Sequence, residues 1–425
     1  MKKWQLVPLL PLLLLTIFSL LSPSLSSRDN ITIESPLAYP NTLNSPDNTF
    51  ALGFFNTGNS RRWYLGIWYT NESQIVVWIA NRKNPMPDPN GSLYISSDRS
   101  NLQLKTNTSD VLWHASSSSM DNPIAQLLDT GNFVLKDKNT SKIAWQSFDN
   151  PTDTLLPGMP FGWIAGQNLN LTSWTDSDNP APSNYTVKLD HRTGWPEIII
   201  WNGSKPIFRT GPLDGNNKFS GSPQFKNSTE WTFYYVSNQT AEYISYSTSS
   251  SKLRLVLNHN STLQMNRFDD AETEQEWDVD WSAPDLTDPC DKYARCGQFG
   301  ICYSTSSNNC TCLTGFEPTH LRDWEVDETT QGCKRKVELN CTSDDGFLNI
   351  HNVKLPDTTN TTVDRTIEQN ECEQRCSKNC SCYAYSILNG SRGCTMWMGD
   401  FTDIRKLDQG GFTLYYRVAH SELHG

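Results

Sequence analysis

The sequence predicts a mainly β protein: two tandem β domains of similar design, followed by a disulfide-stapled third. Three observations lead there. Short segments with alternating apolar residues, such as TFALGFFNTG, YLGIWYTN, QIVVWIANR and NFVLKD, recur up to about residue 150 between turns rich in Gly, Asn, Asp and Ser. The same style continues through NYTVKLD, EIIIWNG, WTFYYVSN and AEYISYS to about residue 281, and no helical period of any length intervenes. All twelve cysteines lie between Cys290 and Cys394. The first two-thirds of the chain must therefore hold together by burial alone, for which 15 Trp, 15 Tyr and 17 Phe supply ample apolar surface.

The opening residues 1–26 read as a secretory signal peptide. Lys2 and Lys3 precede an apolar run over 6–21, and Ser24-Leu25-Ser26 supplies small residues for cleavage. Apart from this leader no stretch approaches membrane-spanning length, so the expectation is a secreted, extracellular chain of the apoplast or cell wall, or a plasma-membrane one if the natural product continues past Gly425. A net charge of −11 argues against a nucleic-acid partner, whose phosphates demand a basic face. Twelve cysteines, an even number, suit the oxidising route. Asn-x-Ser/Thr occurs sixteen times. The expected glycan acceptors are Asn30, Asn71, Asn90, Asn107, Asn139, Asn170, Asn184, Asn202, Asn227, Asn238, Asn260, Asn360 and Asn389. Asn309, Asn340 and Asn379 carry a cysteine in the middle slot and are poorer acceptors.

Within the second β region, LRLVLNHNSTLQMNR echoes SLYISSDRSNLQLKT of the first. The stretch EQEWDVDW alternates, placing Trp277, Val279 and Trp281 on one side and Glu276, Asp278 and Asp280 on a solvated other. Trp201 and Trp231 read as core or surface residues rather than a sugar platform. Segment 207–231 is polar and loop-rich, which suits a contact surface, and Phe219 and Phe225 are its expected exposed ligand-face aromatics. The cysteines then fall into two groups: Cys290, Cys296, Cys302, Cys310, Cys312 and Cys333, and Cys341, Cys372, Cys376, Cys380, Cys382 and Cys394. Counting leaves the pairing within each group open. Residues 368–378 can form a short helix with Cys372 and Cys376 one turn apart on one face. A zinc site is the rival reading of the second group, but no histidine lies near it and the compartment favours bridges.

WQSFDNPTDTLLPGM, YLGIWY with VVWIANRKNP, LTSWTDSDNPAPSNYTVKLD, DPCDKYARCGQFGIC and CSKNCSCYAYS resemble, in order, the plant S-domain family. Its members are S-locus glycoproteins and the extracellular parts of G-type lectin S-receptor-like serine/threonine kinases. The resemblance runs from about residue 30 to the end. It implies two tandem bulb-lectin-like β-prism domains (28–150 bulb-type lectin, 151–284 S-locus glycoprotein), an EGF-like module at 286–337 and a PAN/apple module at 338–422. It also implies the pairs Cys290–Cys302, Cys296–Cys310 and Cys312–Cys333, then Cys372–Cys394 and Cys376–Cys382, with Cys341 left to Cys380. An extracellular peptide or small-molecule ligand, either a pollen-coat peptide or a microbe-derived molecule, and dimerisation with itself or another S-domain receptor are implied as well.

Bulb-type lectins that bind mannose resemble one another in a strand Gln-x-Asp-x-Asn-x-Val-x-Tyr. In QLLDTGNFVLKD, Asn132 and Val134 match, Lys136 stands in the Tyr slot, and Leu127 stands two before Asp129. Asp129 and Asn132 are three apart, so DTGN reads as a turn. SSDRSNLQLKT departs similarly, with Lys105 in the Tyr slot. Both read as structural, and a mannose-type lectin of the cell wall is the alternative function. The sequence contains no HExxH, Walker loop, GxSxG elbow or kinase signature. The expectation is a recognition protein, neither enzyme nor metalloprotein, with no cofactor.

Overall fold

The computed structural model describes residues 28–423 except 59–60, 71–74, 191–194, 215–217, 223–224, 226–229, 250–251, 269–276, 306–308, 341–344 and 391. The expected leader, Asn71, Asn227, Glu276 and Cys341 lie outside the described residues, as does the side chain of Asn389.

Residues 30–146 form three four-stranded antiparallel sheets. The chain visits all three at once. The short strands Asn30–Ile31, Leu37–Ala38 and Leu43–Asn44 each add an outer strand to a different sheet. Period-2 alternation then decides which side faces inward. In Asn101–Lys105, Leu102 and Leu104 are buried while Asn101, Gln103 and Lys105 are half-buried on the other face. The last strand of each sheet contributes one tryptophan to a triangle, of which Trp78 is buried and Trp113 and Trp145 are half-buried. Trp78, Trp113 and Trp145 meet edge-on at 5.9, 6.0 and 5.5 Å between ring centres, the geometry that aromatic quadrupoles favour.

Residues 154–283 repeat the design with three further antiparallel four-stranded sheets. The two segments that echo in sequence form matching hairpins, Ser92–Ile95 with Asn101–Lys105 and Leu253–Leu257 with Leu263–Phe268. Each turns through a non-glycine residue at positive φ, Arg99 at +59° and Ser261 at +70°. The strand Trp277–Ala283 departs from simple alternation. A bulge opposite Met265 and Asn266 pairs Trp281 with Met265 and Val279 with Asn266, leaving Asp280 as the extra residue. Trp281 is therefore buried while Val279 is 52% exposed, and Asp278 and Asp280 both reach Arg267, at 3.6 and 3.2 Å.

Phe219 and Phe225, expected as exposed contacts, are core residues, 4% and 1% exposed. Phe225 packs against Phe219, Trp231, Phe233 and Trp281 with ring centres 4.2–5.8 Å apart. Burying an aromatic ring outweighs the polarity of the loop that carries it, so the aromatics tack the loop down and do not tip it. Trp231 is buried in the same cluster, and Trp201 is half-buried with the Lys188 ammonium 5.7 Å from its ring centre.

One apolar core runs through both prisms. Arg82, buried in the turn after Val76–Ile79, joins them with a full guanidinium fork. Nε donates to Pro180 O at 2.7 Å, Nη1 to Thr172 O at 2.9 Å and Nη2 to Ser173 O at 2.8 Å. The outer face of the sheet ending in Val76–Ile79 carries Ala51, Phe55, Tyr64, Trp68 and Val76, which pack with Trp174 of the second prism.

The first cysteine module pairs Cys290–Cys302, Cys296–Cys310 and Cys312–Cys333. In the second, Cys372–Cys394 and Cys376–Cys382 are bridged, and Cys380 is bridged as well. The helix Gln369–Lys378 places Cys372 and Cys376 on its buried face. The two modules share an eight-stranded sheet. Gly300–Tyr303 of the first runs parallel to Ile404–Lys406 of the second, Ile301 opposite Ile404 and Cys302 opposite Arg405. Their common core takes in Phe299, Phe316, Leu414 and Tyr416, together with Trp195 from the second prism.

Two outcomes follow for stability. Phe225→Ala should cost about 3–5 kcal/mol, read as a lowered denaturant midpoint at unchanged slope. Arg82→Ala, which strands the buried Pro180 and Ser173 carbonyls at ~1–3 kcal/mol each and the half-buried one of Thr172, should lower the thermal midpoint and hasten proteolysis between the prisms. Unchanged unfolding of either variant would contradict its placement here.

Candidate functional site

The lectin-type positions are occupied by the protein itself. The turn after Pro123–Leu127 closes with Gly131 N donating to Leu128 O at 2.9 Å and Leu128 N to Asn132 O at 3.0 Å. Gly131 sits at φ +78°, and a Cβ there would lie 2.6 Å from Leu156 Cδ1. Asn132, only 7% exposed, donates from Nδ2 to Gln146 Oε1 at 2.8 Å. Its Oδ1 accepts from Ser147 Oγ at 3.2 Å and from Phe148 N at 3.3 Å. Asp129 accepts from Asp47 N at 2.9 Å, and Leu127 and Val134 are buried. In the parallel stretch Asp98 accepts from Ser96 Oγ and Ser100 N, and the Lys105 ammonium lies 4.7 Å from the Tyr94 ring centre. A carboxamide with this many protein partners has little left for a sugar hydroxyl.

At the junction of the second prism with both cysteine modules the sequence signals nothing, and the geometry is dense. Arg209, on Lys205–Arg209, is fully buried. It pairs with Glu197 of the neighbouring strand at 2.7 Å, with Asp403 at 2.7 Å and with Asp357 at 3.8 Å. Lys354 reaches Asp403 at 2.8 Å. The second module thus supplies Lys354, Asp357 and Asp403, and the first supplies Tyr293, whose hydroxyl donates to Asp357 at 2.8 Å, and Ala294, whose N–H donates to Asp403 at 2.9 Å. Thr358 Oγ1 donates to Glu197 Oε1 at 2.8 Å. Burial works against the Arg209 charge, yet Glu197, Asp357 and Asp403 hold the guanidinium protonated. Burial pushes the Glu197 carboxyl up despite Arg209. At Asp357 burial pushes the same way but is outweighed by Arg209 and by hydrogen bonds from Thr359 and Tyr293, so its pKa lies below the usual carboxylate value.

A cleft of about 680 Å3 is lined from the same three modules, starting two residues beyond Asp403 at Arg405. The second prism brings Asp214 and Lys218, with buried Phe219 behind them. The first cysteine module brings Asp288 and 303–305, and the second brings 405–412. Arg405 spans the wall, bonded to Asp288 at 2.6 Å and to Asp291. Gly411 lets the 407–412 turn lie against the adjoining strand, since a Cβ there, at φ +69°, would sit 2.7 Å from Val353 O. Of the expected ligand segment 207–231, the edge at Asp214 and Lys218 borders this cleft, and its phenylalanines do not present themselves to solvent.

Among the expected glycan acceptors, Asn90, Asn107, Asn139, Asn184, Asn202, Asn238, Asn260 and Asn360 are exposed, and Asn30 and Asn170 are half-buried. No helix among the described residues is long and apolar enough to cross a membrane.

Family models match the chain in three places: D-mannose binding lectin over 75–175, S-locus glycoprotein domain over 208–320 and PAN-like domain over 341–404. The chain is 37% identical to S-locus-specific glycoprotein S6 of Brassica oleracea over 413 residues, covering 94% of this chain and 92% of that one. It is 39% identical over 424 residues to receptor-like serine/threonine-protein kinase SD1-8 of Arabidopsis thaliana, covering 97% of this chain and 49% of the kinase. It thus spans about half the length of the curated receptor kinases it matches. A monomeric monocot mannose-binding lectin from Gastrodia elata aligns with 28% of this chain and 96% of its own, at 19% identity and a TM-score of 0.22. Similarity of this extent to S6, together with the three family matches in order, means that the chain belongs to the plant S-domain family of S-locus glycoproteins and G-type lectin S-receptor-like kinases.

Proposed function

We propose that this protein is an exported recognition glycoprotein that binds an extracellular peptide, of pollen-coat or microbial origin, at the cleft shared by the second prism and the two cysteine modules. Binding energy is spent on bringing chains together, with no bond made or broken. The single observation that carries the reading is the construction of that cleft. Three modules contribute side chains to one concave surface, and a buried ion network holds their relative positions. A ligand seated there touches all three at once. Asp408, exposed on the rim and without a charged partner among the described residues, offers a carboxylate to a basic peptide.

The alternative, a mannose-type lectin of the cell wall, draws on the matched lectin model. It is disfavoured by the hydrogen bonds already made to Asn132 and Asp129.

Purified protein should pass through mannose-agarose unretained. Retention followed by release with free mannose would return the lectin reading. In a screen of short basic peptides against the intact chain, binders should weaken on Asp408→Ala by about 1 kcal/mol, roughly fivefold in Kd. They should be unaffected by Tyr234→Ala, an exposed site on the second prism. Binders indifferent to every cleft substitution would remove the cleft from consideration.

A further inference from the structure

The groove between the two prisms has a chemistry of its own. Its volume is about 540 Å3, within the ~300–1,000 Å3 typical of small-molecule sites. Trp113 forms part of one wall. It is half-buried and braced edge-on by Trp78 and Trp145, and its indole N–H meets no acceptor among the described residues. Lys83 comes from the turn after Val76–Ile79, and Asn168 and Asn170 come from the second prism. The Lys83 ammonium and the Asn168 and Asn170 carboxamides have no side-chain partner among the described residues. An indole with unspent amide and ammonium groups around it suits a pyranose, which offers an apolar C–H face and a rim of hydroxyls.

Asn170-Leu171-Thr172 is itself a glycan acceptor sequence, and Asn170 lines this groove. Acceptors such as Asn107 and Asn139 instead stand exposed in turns. The backbone beside Asn170 is also clamped across the junction, since Thr172 O and Ser173 O accept from Arg82. We infer that the glycan carried by Asn170 folds back into the groove and is held there, its proximal N-acetylhexosamine against Trp113, so that the two prisms are bridged by a sugar the chain itself supplies. Attachment is the ordinary secretory reaction: the Asn170 amide nitrogen bonds the sugar's anomeric carbon and loses a proton, and a lipid diphosphate leaves. The inference rests on the export assumed in the proposed function, and it gives the groove an occupant other than a foreign ligand.

The test is native deglycosylation of the intact secreted protein, followed site by site by mass spectrometry. Release from Asn170 should be slower than from Asn107 and Asn139 by about tenfold or more while the protein is folded, and equal after denaturation. Trp113→Ala should equalise the native rates. Because Trp113 also supports its neighbouring tryptophans, the milder pair Lys83→Ala with Asn168→Ala should accelerate release at Asn170 alone. Equal native rates, or a bare Asn170 beside occupied Asn107 and Asn139, overturns the inference and leaves export standing. A chain bare at all three sites overturns both.

Discussion

A guanidinium without access to water must be surrounded by acceptors, and that requirement at Arg209 organises the C-terminal half of this molecule. Arg209 and Glu197 are neighbours in one sheet of the second prism, but the remaining charges come from a module some 150 to 200 residues further along. Neither side can be withdrawn alone without leaving buried charge uncompensated. Lys354 and the Ala294 N–H complete the shell around Asp403, so the first cysteine module is drawn in too. Arg82 does the corresponding work between the prisms mainly through carbonyl acceptors, with the buried Asp153 carboxylate near enough to favour its charge. Arginine suits both places because its donors are fixed in a plane and reach several acceptors at once.

The two junctions also show what became of the sheet faces. In the first prism, one outer face is apolar and closed by Trp174. In the second, the face bearing Glu197 and Arg209 is closed by the cysteine modules. Both are surfaces that an isolated prism would turn to solvent. Here they serve assembly, and the concave surfaces that remain lie at the seams between modules.

Much of this organisation was legible in the sequence, for identifiable reasons. Period-2 alternation reports burial strand by strand, so both β regions and the echoing hairpins could be anticipated. The confinement of cysteine to 290–394 marked the stapled part, and spacing by four placed Cys372 and Cys376 on one helical face. What could not be read depends on register or on distance along the chain. Val279 turned outward because of one extra residue in its strand. Phe219 and Phe225 sit in polar sequence, and only the approach of Trp231, Phe233 and Trp281 shows that they face inward. Asn132 carries the lectin residue type while spending its carboxamide on Gln146, Ser147 and Phe148, which no local pattern reveals. The charges around Arg209 have no signature at all, since nothing in the spacing of 197, 209, 354, 357 and 403 sets them apart from surface ions.

The last strand, Phe412–Val418, lies inside the eight-stranded sheet, flanked by Gly346–Lys354 and Cys382–Asn389. A pull applied beyond residue 418 would load backbone hydrogen bonds on both flanks together, in shear, instead of peeling them one at a time from an edge. The parallel splice of Gly300–Tyr303 onto Ile404–Lys406 extends that resistance into the first cysteine module. Tension or rotation imposed near the carboxyl end therefore reaches the neighbourhood of the three-module cleft with little slack, through a transmission built from ordinary sheet bonding.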